Sequence, residues 1–206
     1  MTDQPASSPR TALPMNASRW KQGLTLPDFV AQMSVDQDIM MRRLETVQLS
    51  EEERAAAAAL QRPLRVLVMT EDWCTDCLMN LPILARLTEA APAMETRVFI
   101  RSRWPELQAW FAAGGIAAIP VFAVLDEAFQ LIGTWVERPK AANERIKRWK
   151  EEHPETQAIQ QDASLSKEKR KTRLAHIYTG LKIEMETWYA ESLQAATVQE
   201  IVDILK

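Results

Sequence analysis

The chain has 206 residues, 47% of them hydrophobic and 26% charged, with a net charge of −3. That length can bury a sizeable core, as one domain with extensions or as two small domains, and the charge balance gives no pointer to nucleic acid or an anionic membrane. No apolar run reaches the ~18 residues of a membrane span, and five glycines among plentiful Ala, Leu, Glu and Arg favour helix over turn-rich β architecture.

Residues 1–17 are polar and Pro-rich. They predict a flexible tail and, without an apolar centre, no secretory signal, so the expected compartment is cytoplasmic. Residues 18–62 predict a helical extension with no strand. Pro27 can open a helix carrying Phe29, Val30 and Met33. Ser34 and Gln37 have capping-box spacing before Ile39, Met40, Leu44 and Val47, and Ser50 and Glu53 repeat it before Ala55–Leu60. Pro63 stops that third helix.

The texture changes over residues 63–152. Val66–Met69 reads as a buried strand, followed by the turn Thr70-Glu71-Asp72 and a helix running to about Ala91, which Pro82 should kink. Thr96–Ile100 is a second strand. Pro105 opens a helix with Leu107, Trp110 and Phe111 on one side, closed by Gly114-Gly115. Val121–Leu125 and Phe129–Val136 are two tightly joined strands, and Pro139 opens a helix to about Glu152. The order β-α-β-α-β-β-α predicts an α/β fold: a mixed four-stranded sheet, the first two strands parallel and the last two antiparallel, with helices on both faces. Residues 153–206 form a second all-helical extension, polar at first. Its stripe Leu174, Ile177, Leu181, Met185, Trp188 either packs on the N-terminal helices or the sheet, or serves as a homodimer interface or a lid.

Both cysteines, Cys74 and Cys77, lie where the first strand meets its helix. Helix N–H groups and the positive dipole end stabilise a thiolate there, and a second thiol one turn along can close a disulfide with it. Asp72 and Asp76 flank Cys74 with Glu71 nearby; negative charge opposes the thiolate, so the couple should lie toward the reducing end of the range. Asp76 is either a proton acceptor for Cys77 or a complement to the helix dipole, and Trp73 either packs under a substrate or walls off the motif. Zinc is not expected, since His153 and His176 are far from the motif and show no ligand spacing. The basic run Lys167–Arg173 has no interleaved aromatics, so nucleic acid is not expected there either. Arg101 and Arg103, just past the second strand, are either solvated charges or an attraction for an anionic substrate.

The segment Trp73-Cys74-Thr75-Asp76-Cys77 on a strand-to-helix turn, with Ile119-Pro120 43 residues after Cys77 and before two antiparallel strands, resembles the thioredoxin superfamily. Glu71-Asp72 before the motif and Asn80-Leu81-Pro82 after it look most like its bacterial members with a Trp-Cys-x-Asp-Cys signature. The resemblance covers residues 63–152 and implies a thioredoxin-like fold with all-helical N- and C-terminal extensions. It implies that Cys74 is the attacking thiol and Cys77 the resolving one. Pro120 would be cis beside the redox-active disulfide, with Ile119 offering its backbone to substrate. Thr75-Asp76 stands where thioredoxin has Gly-Pro, Val68 where it has a buried aspartate, Thr70 where it has an aromatic, and helices replace its first strand. These differences bear on general protein-disulfide reduction and on recognition by a thioredoxin reductase. The function expected is thiol–disulfide exchange, acting as a reductant on a disulfide-containing protein or small thiol substrate, with an electron donor the sequence does not identify. The rival expectations are a non-catalytic binding or scaffold module, and a reductase for small thiol or peroxide substrates whose extensions close over the site. No cofactor beyond the disulfide, no metal, no nucleic acid and no membrane are expected.

Overall fold

A computed structural model describes residues 12–206. The tail expected over residues 1–17 falls outside the described residues as far as Thr11. Beyond it, Leu13 and Met15 are buried, and Asn16 accepts the Arg19 N–H at 3.0 Å as the cap of α1, Ala17–Trp20. The helical extension therefore begins before residue 18. Helices α2 (Leu26–Ala31), α3 (Gln37–Thr46) and α4 (Glu51–Ala58) follow. The Ser50–Glu53 capping box forms in both directions, at 3.2 and 2.8 Å. The Ser34–Gln37 box does not. Ser34 gives its N–H and hydroxyl to the Asp72 carboxylate instead, at 2.9 and 2.7 Å, a charged acceptor that binds them more strongly than a neutral amide would, while α3 takes Asp36 as its cap and Gln37 donates to the Val30 carbonyl at 2.7 Å.

Four strands form one sheet in the order β2-β1-β3-β4: β1 Leu64–Thr70, β2 Met94–Ile100, β3 Val121–Leu125 and β4 Leu131–Val136. The β1–β2 pair is parallel, and β1–β3 and β3–β4 are antiparallel. Being central and covered on both faces, β1 reads as a nearly continuous apolar run. Strand β4 starts two residues later than expected because Phe129 has φ 61°, a left-handed turn conformation that cannot continue a ladder. Where a first strand would lie, a single antiparallel bridge joins Leu24 to Val98, with bonds of 2.9 and 2.8 Å.

Helix α5 (Thr75–Ala90) covers one face of the sheet. On the other, Phe99 meets Trp20 of α1 and Trp104, which precedes α6, Pro105–Ala113. Helices α7 (Ala142–Glu152), α8 (Glu155–Gln161), α9 (Lys167–Trp188) and α10 (Gln194–Leu205) follow, with a π-helical turn over Tyr189–Leu193. Helix α8 falls in a stretch read from sequence only as polar. Helix α10 packs on β4 and α5. A side chain at Gly133 would put its Cβ 2.7 Å from Ile204 Cγ2, so glycine is what lets α10 approach the strand. The last helix of the C-terminal extension therefore lies on the sheet. Helix α9 is tied to α3 by the Arg42–Glu186 pair, at 2.8 and 2.7 Å, and its Lys182 pairs with the α3 cap residue Asp36. No helix among the described residues is long and apolar enough to cross a membrane.

Residues Cys77 to Leu84 of α5 are all buried. Pro82 has no N–H for the Leu78 carbonyl one turn back. Arg43 of α3, itself buried, fills the gap: its Nε donates to Leu78 O at 3.0 Å and its Nη2 to Met79 O at 3.1 Å. Arg43→Met keeps the apolar stem and orphans that carbonyl, so we expect a loss of about 1–3 kcal/mol in urea unfolding. Adding Pro82→Ala should recover part of it by restoring the helical N–H. An unchanged midpoint for Arg43→Met would remove Arg43 from this role.

Candidate active site

Strand β1 ends at Thr70, and the turn after it is held by its acids. Glu71 Oε1 accepts the Ser102 N–H at 2.6 Å, and Asp72 is held by Ser34. Trp73 projects outward, 54% exposed, with the Arg101 guanidinium 5.5 Å from its ring centre, a cation–π distance. Cys74 is the N-cap of α5. Its Sγ accepts the Cys77 N–H at 3.2 Å and lies 3.4 Å from the Ile119 carbonyl oxygen. The Ile119–Pro120 peptide is cis. Cys74, Cys77 and Ile119 are therefore together, with the thiols free.

The two thiols differ in environment. Cys77 is fully buried, and burial pushes its pKa well up, helped by its hydrogen bond to Cys74 and the charge there; the Thr70 hydroxyl and the Glu71 N–H pull weakly the other way. Thr70, fully buried at the strand end, is thus a polar side chain in contact with Cys77. Asp72 is pulled below its ordinary pKa: burial pushes it up, and hydrogen bonds from Ser34 and from the Val35 and Asp72 N–H groups overcome that.

Asp76 does not stand free. Arg138 grips both its oxygens, Nε to Oδ1 at 2.9 Å and Nη2 to Oδ2 at 2.6 Å, and also reaches Glu137 at 2.6 Å. Burial disfavours the Arg138 charge, and the bonds and charge of Asp76 outweigh it, raising the Arg138 pKa. Arg138 follows Glu137, whose φ of 68° turns the chain while its N–H bonds to Pro120 O at 2.7 Å. Beneath lies Asn80, wholly buried. Its Nδ2 lies within hydrogen-bond reach of Asp76 O, Glu137 O and the Tyr189 hydroxyl, at 2.8, 3.3 and 2.8 Å, and its Oδ1 accepts from Thr197 at 3.1 Å. Burial and the Asp76 charge push the Tyr189 hydroxyl far up, so it stays neutral.

Cys74 faces a groove of about 830 Å³. The motif and Ile119 form one side, and α7, α8 and α9 form the other through Ile146, Trp149, Gln157, Tyr178, Leu181 and Met185. Leu181 and Met185 of the helical stripe wall the groove, while Lys182 and Glu186, outside the stripe, fasten α9 to the N-terminal helices.

Sequence reasoning brought Trp73, Cys74, Asp76, Cys77, Ile119 and Pro120 to one place. It missed Arg138, Thr70 and Asn80 as members of the site. Nothing local marks Arg138, whose partner lies 62 residues away. Asn80 was visible as an amide on an otherwise apolar helix, which demands buried partners. No group of three or more His, Cys, Asp or Glu residues capable of holding a metal exists among the described residues.

A family model described as thioredoxin matches residues 23–152, and the chain belongs to the thioredoxin family. A solved protein of unknown function from Pseudomonas aeruginosa is 28% identical, with a TM-score of 0.55, over 64% of this chain and 84% of that one. An HIV epitope-scaffold is 24% identical, with a TM-score of 0.60, over 92% of this chain and 96% of its own, and it shares the fold. No curated protein matches the chain.

The Asp72 carboxylate, lowered in pKa on folding, stabilises the fold above the ordinary carboxylate pKa, and that stability is lost as pH falls through the depressed value. Ser34→Ala should therefore cost about 0.5–1 kcal/mol near neutral pH, solvent screening keeping it small. The deficit should shrink as pH falls through the carboxylate range, read by urea unfolding at a series of pH values. A deficit independent of pH would mean that Ser34 acts through packing alone.

Proposed function

We propose that the chain is a thiol–disulfide oxidoreductase acting as a reductant. The observation that carries this reading is the placing of Cys74 Sγ against the Cys77 N–H and the Ile119 carbonyl, beside a cis-proline, at the start of a buried helix. In the cycle, the Cys74 thiolate attacks one sulfur of a disulfide, forms a mixed disulfide and releases one thiol. Cys77, losing its proton, attacks Cys74 Sγ, closes the intramolecular disulfide and releases the second thiol. Two electrons and two protons pass to the substrate. The raised Cys77 pKa keeps that thiol protonated until the mixed disulfide removes the Cys74 charge that helps to raise it.

Trp73, Ile119 and Pro120 frame the substrate side. Asp76, committed to Arg138, serves as a positioning residue at the groove rim, and the Thr70 hydroxyl steadies Cys77. No metal or further cofactor enters the scheme. A reductant of this kind suits a reducing compartment such as the cytoplasm and needs an electron donor to reset it.

Titration of the reduced protein against a glutathione redox buffer, with alkylation to count free thiols, should show both cysteines lost together in one reversible two-electron transition. Cys77→Ser should instead stop at a stable mixed disulfide on Cys74. If no intramolecular disulfide forms at any poise, the reductant mechanism is wrong and a binding module is the better account.

A further inference from the structure

We infer that the substrate of the Cys74–Cys77 pair is a small, peptide-like disulfide carrying a carboxylate, received in the groove beneath the C-terminal helices, and not a folded protein surface. The inference rests on the redox reading of the motif and narrows its substrate.

Access is the first argument. Cys74 and Ile119 are each only 7% exposed, and the space in front of Cys74 is bounded on its far side by α7, α8 and α9. A folded protein would have to seat its disulfide behind Trp149, Leu181 and Met185, all on anchored helices. A volume of about 830 Å³ lies within the range of small-molecule sites.

Charge is the second. Of the ionised groups lining the groove, Asp76 and Glu137 both pair with Arg138. Among the described residues Arg101 and Lys150 have no carboxylate partner. Arg101 is held at the motif side by the Trp73 ring and the Ala117 carbonyl; exposed Lys150 stands on α7. The groove thus offers an anion two cations that have no carboxylate partner among the described residues, and the matching group on a small substrate is a carboxylate.

Amide chemistry is the third. Gln157 and Gln161 line the groove four residues apart on α8, so they share one face. Neither side chain is committed to a hydrogen bond among the described residues, whereas Gln160 donates to Tyr178. A pair of free primary amides suits the N–H and C=O groups of a peptide backbone. Exposed Trp73 at the rim adds an amphipathic surface for the stem of such a molecule.

The step balances without an added reagent: the reduced pair plus one disulfide gives the Cys74–Cys77 disulfide and two free thiols. The test mixes the pre-reduced full chain, in single turnover, with glutathione disulfide, neutral hydroxyethyl disulfide, or insulin as a protein disulfide. Glutathione disulfide should oxidise the pair at least roughly tenfold faster than either of the others. Lys150→Glu and Arg101→Gln should each lower the preference for glutathione disulfide over hydroxyethyl disulfide roughly three- to tenfold, and added salt should lower it in the same direction. Insulin reacting as fast as glutathione disulfide, or a preference unmoved by both variants, overturns the inference while leaving the redox reading standing. Inertness toward all three disulfides overturns the redox reading itself.

Discussion

A helical segment buried on every side must find partners for all its polar groups, and in this protein that segment is residues 77–84 of α5. Its own ladder cannot be complete, because Pro82 leaves the Leu78 carbonyl without a helical donor. Its side chains cannot all be apolar either, because Asn80 sits in the same dry interior. Arg43 comes from the N-terminal extension to serve the first need. Tyr189 and Thr197 come from the C-terminal extension to serve the second. The two extensions are thus structurally required by the helix that carries the cysteines, and leaving either partner out would cost the full desolvation of a buried polar group.

The same accounting changes the electrostatics of the motif. Read as a line of residues, Glu71, Asp72 and Asp76 crowd negative charge around Cys74. In the fold each carboxylate has its own donor: Ser102 N–H, Ser34 and Arg138. The acids act as fasteners that fix the turn to β2's exit, to the N-terminal helices and to the segment after β4. Arg138 repeats the device on the other side of the site, where the left-handed backbone at Glu137 carries it from the end of β4 to the start of α5.

The C-terminal chain does two unlike things. Helix α10 returns to lie on β4 and α5 against Gly133, covering sheet that would otherwise be open. Helices α7, α8 and α9 instead contribute side chains to the far wall of the groove beside Cys74. The motif thereby borders a bounded space with its own charges and amides.

The strands, the parallel and antiparallel pairings and the placing of Cys74 and Cys77 at a helix start were legible in the sequence, each from a local pattern: an apolar run, a turn before a helix, tight or long connections. The meeting of those thiols with Ile119 and Pro120 was implied only by the family resemblance. The Ser50–Glu53 box was legible from its local spacing, while the identical Ser34–Gln37 spacing misled, because an aspartate 38 residues onward took the serine. The Asp76–Arg138 pair, the Arg43 repair of α5, the Asn80 cluster and the groove wall were decided only by tertiary structure. They join residues 35 to 117 positions apart, and no spacing rule reaches that far. The sequence by itself determined where the thiols sit and on what kind of element. Which charges beside the thiols remain without an oppositely charged partner was set by packing, because only folding decides which carboxylates and cations find one another first.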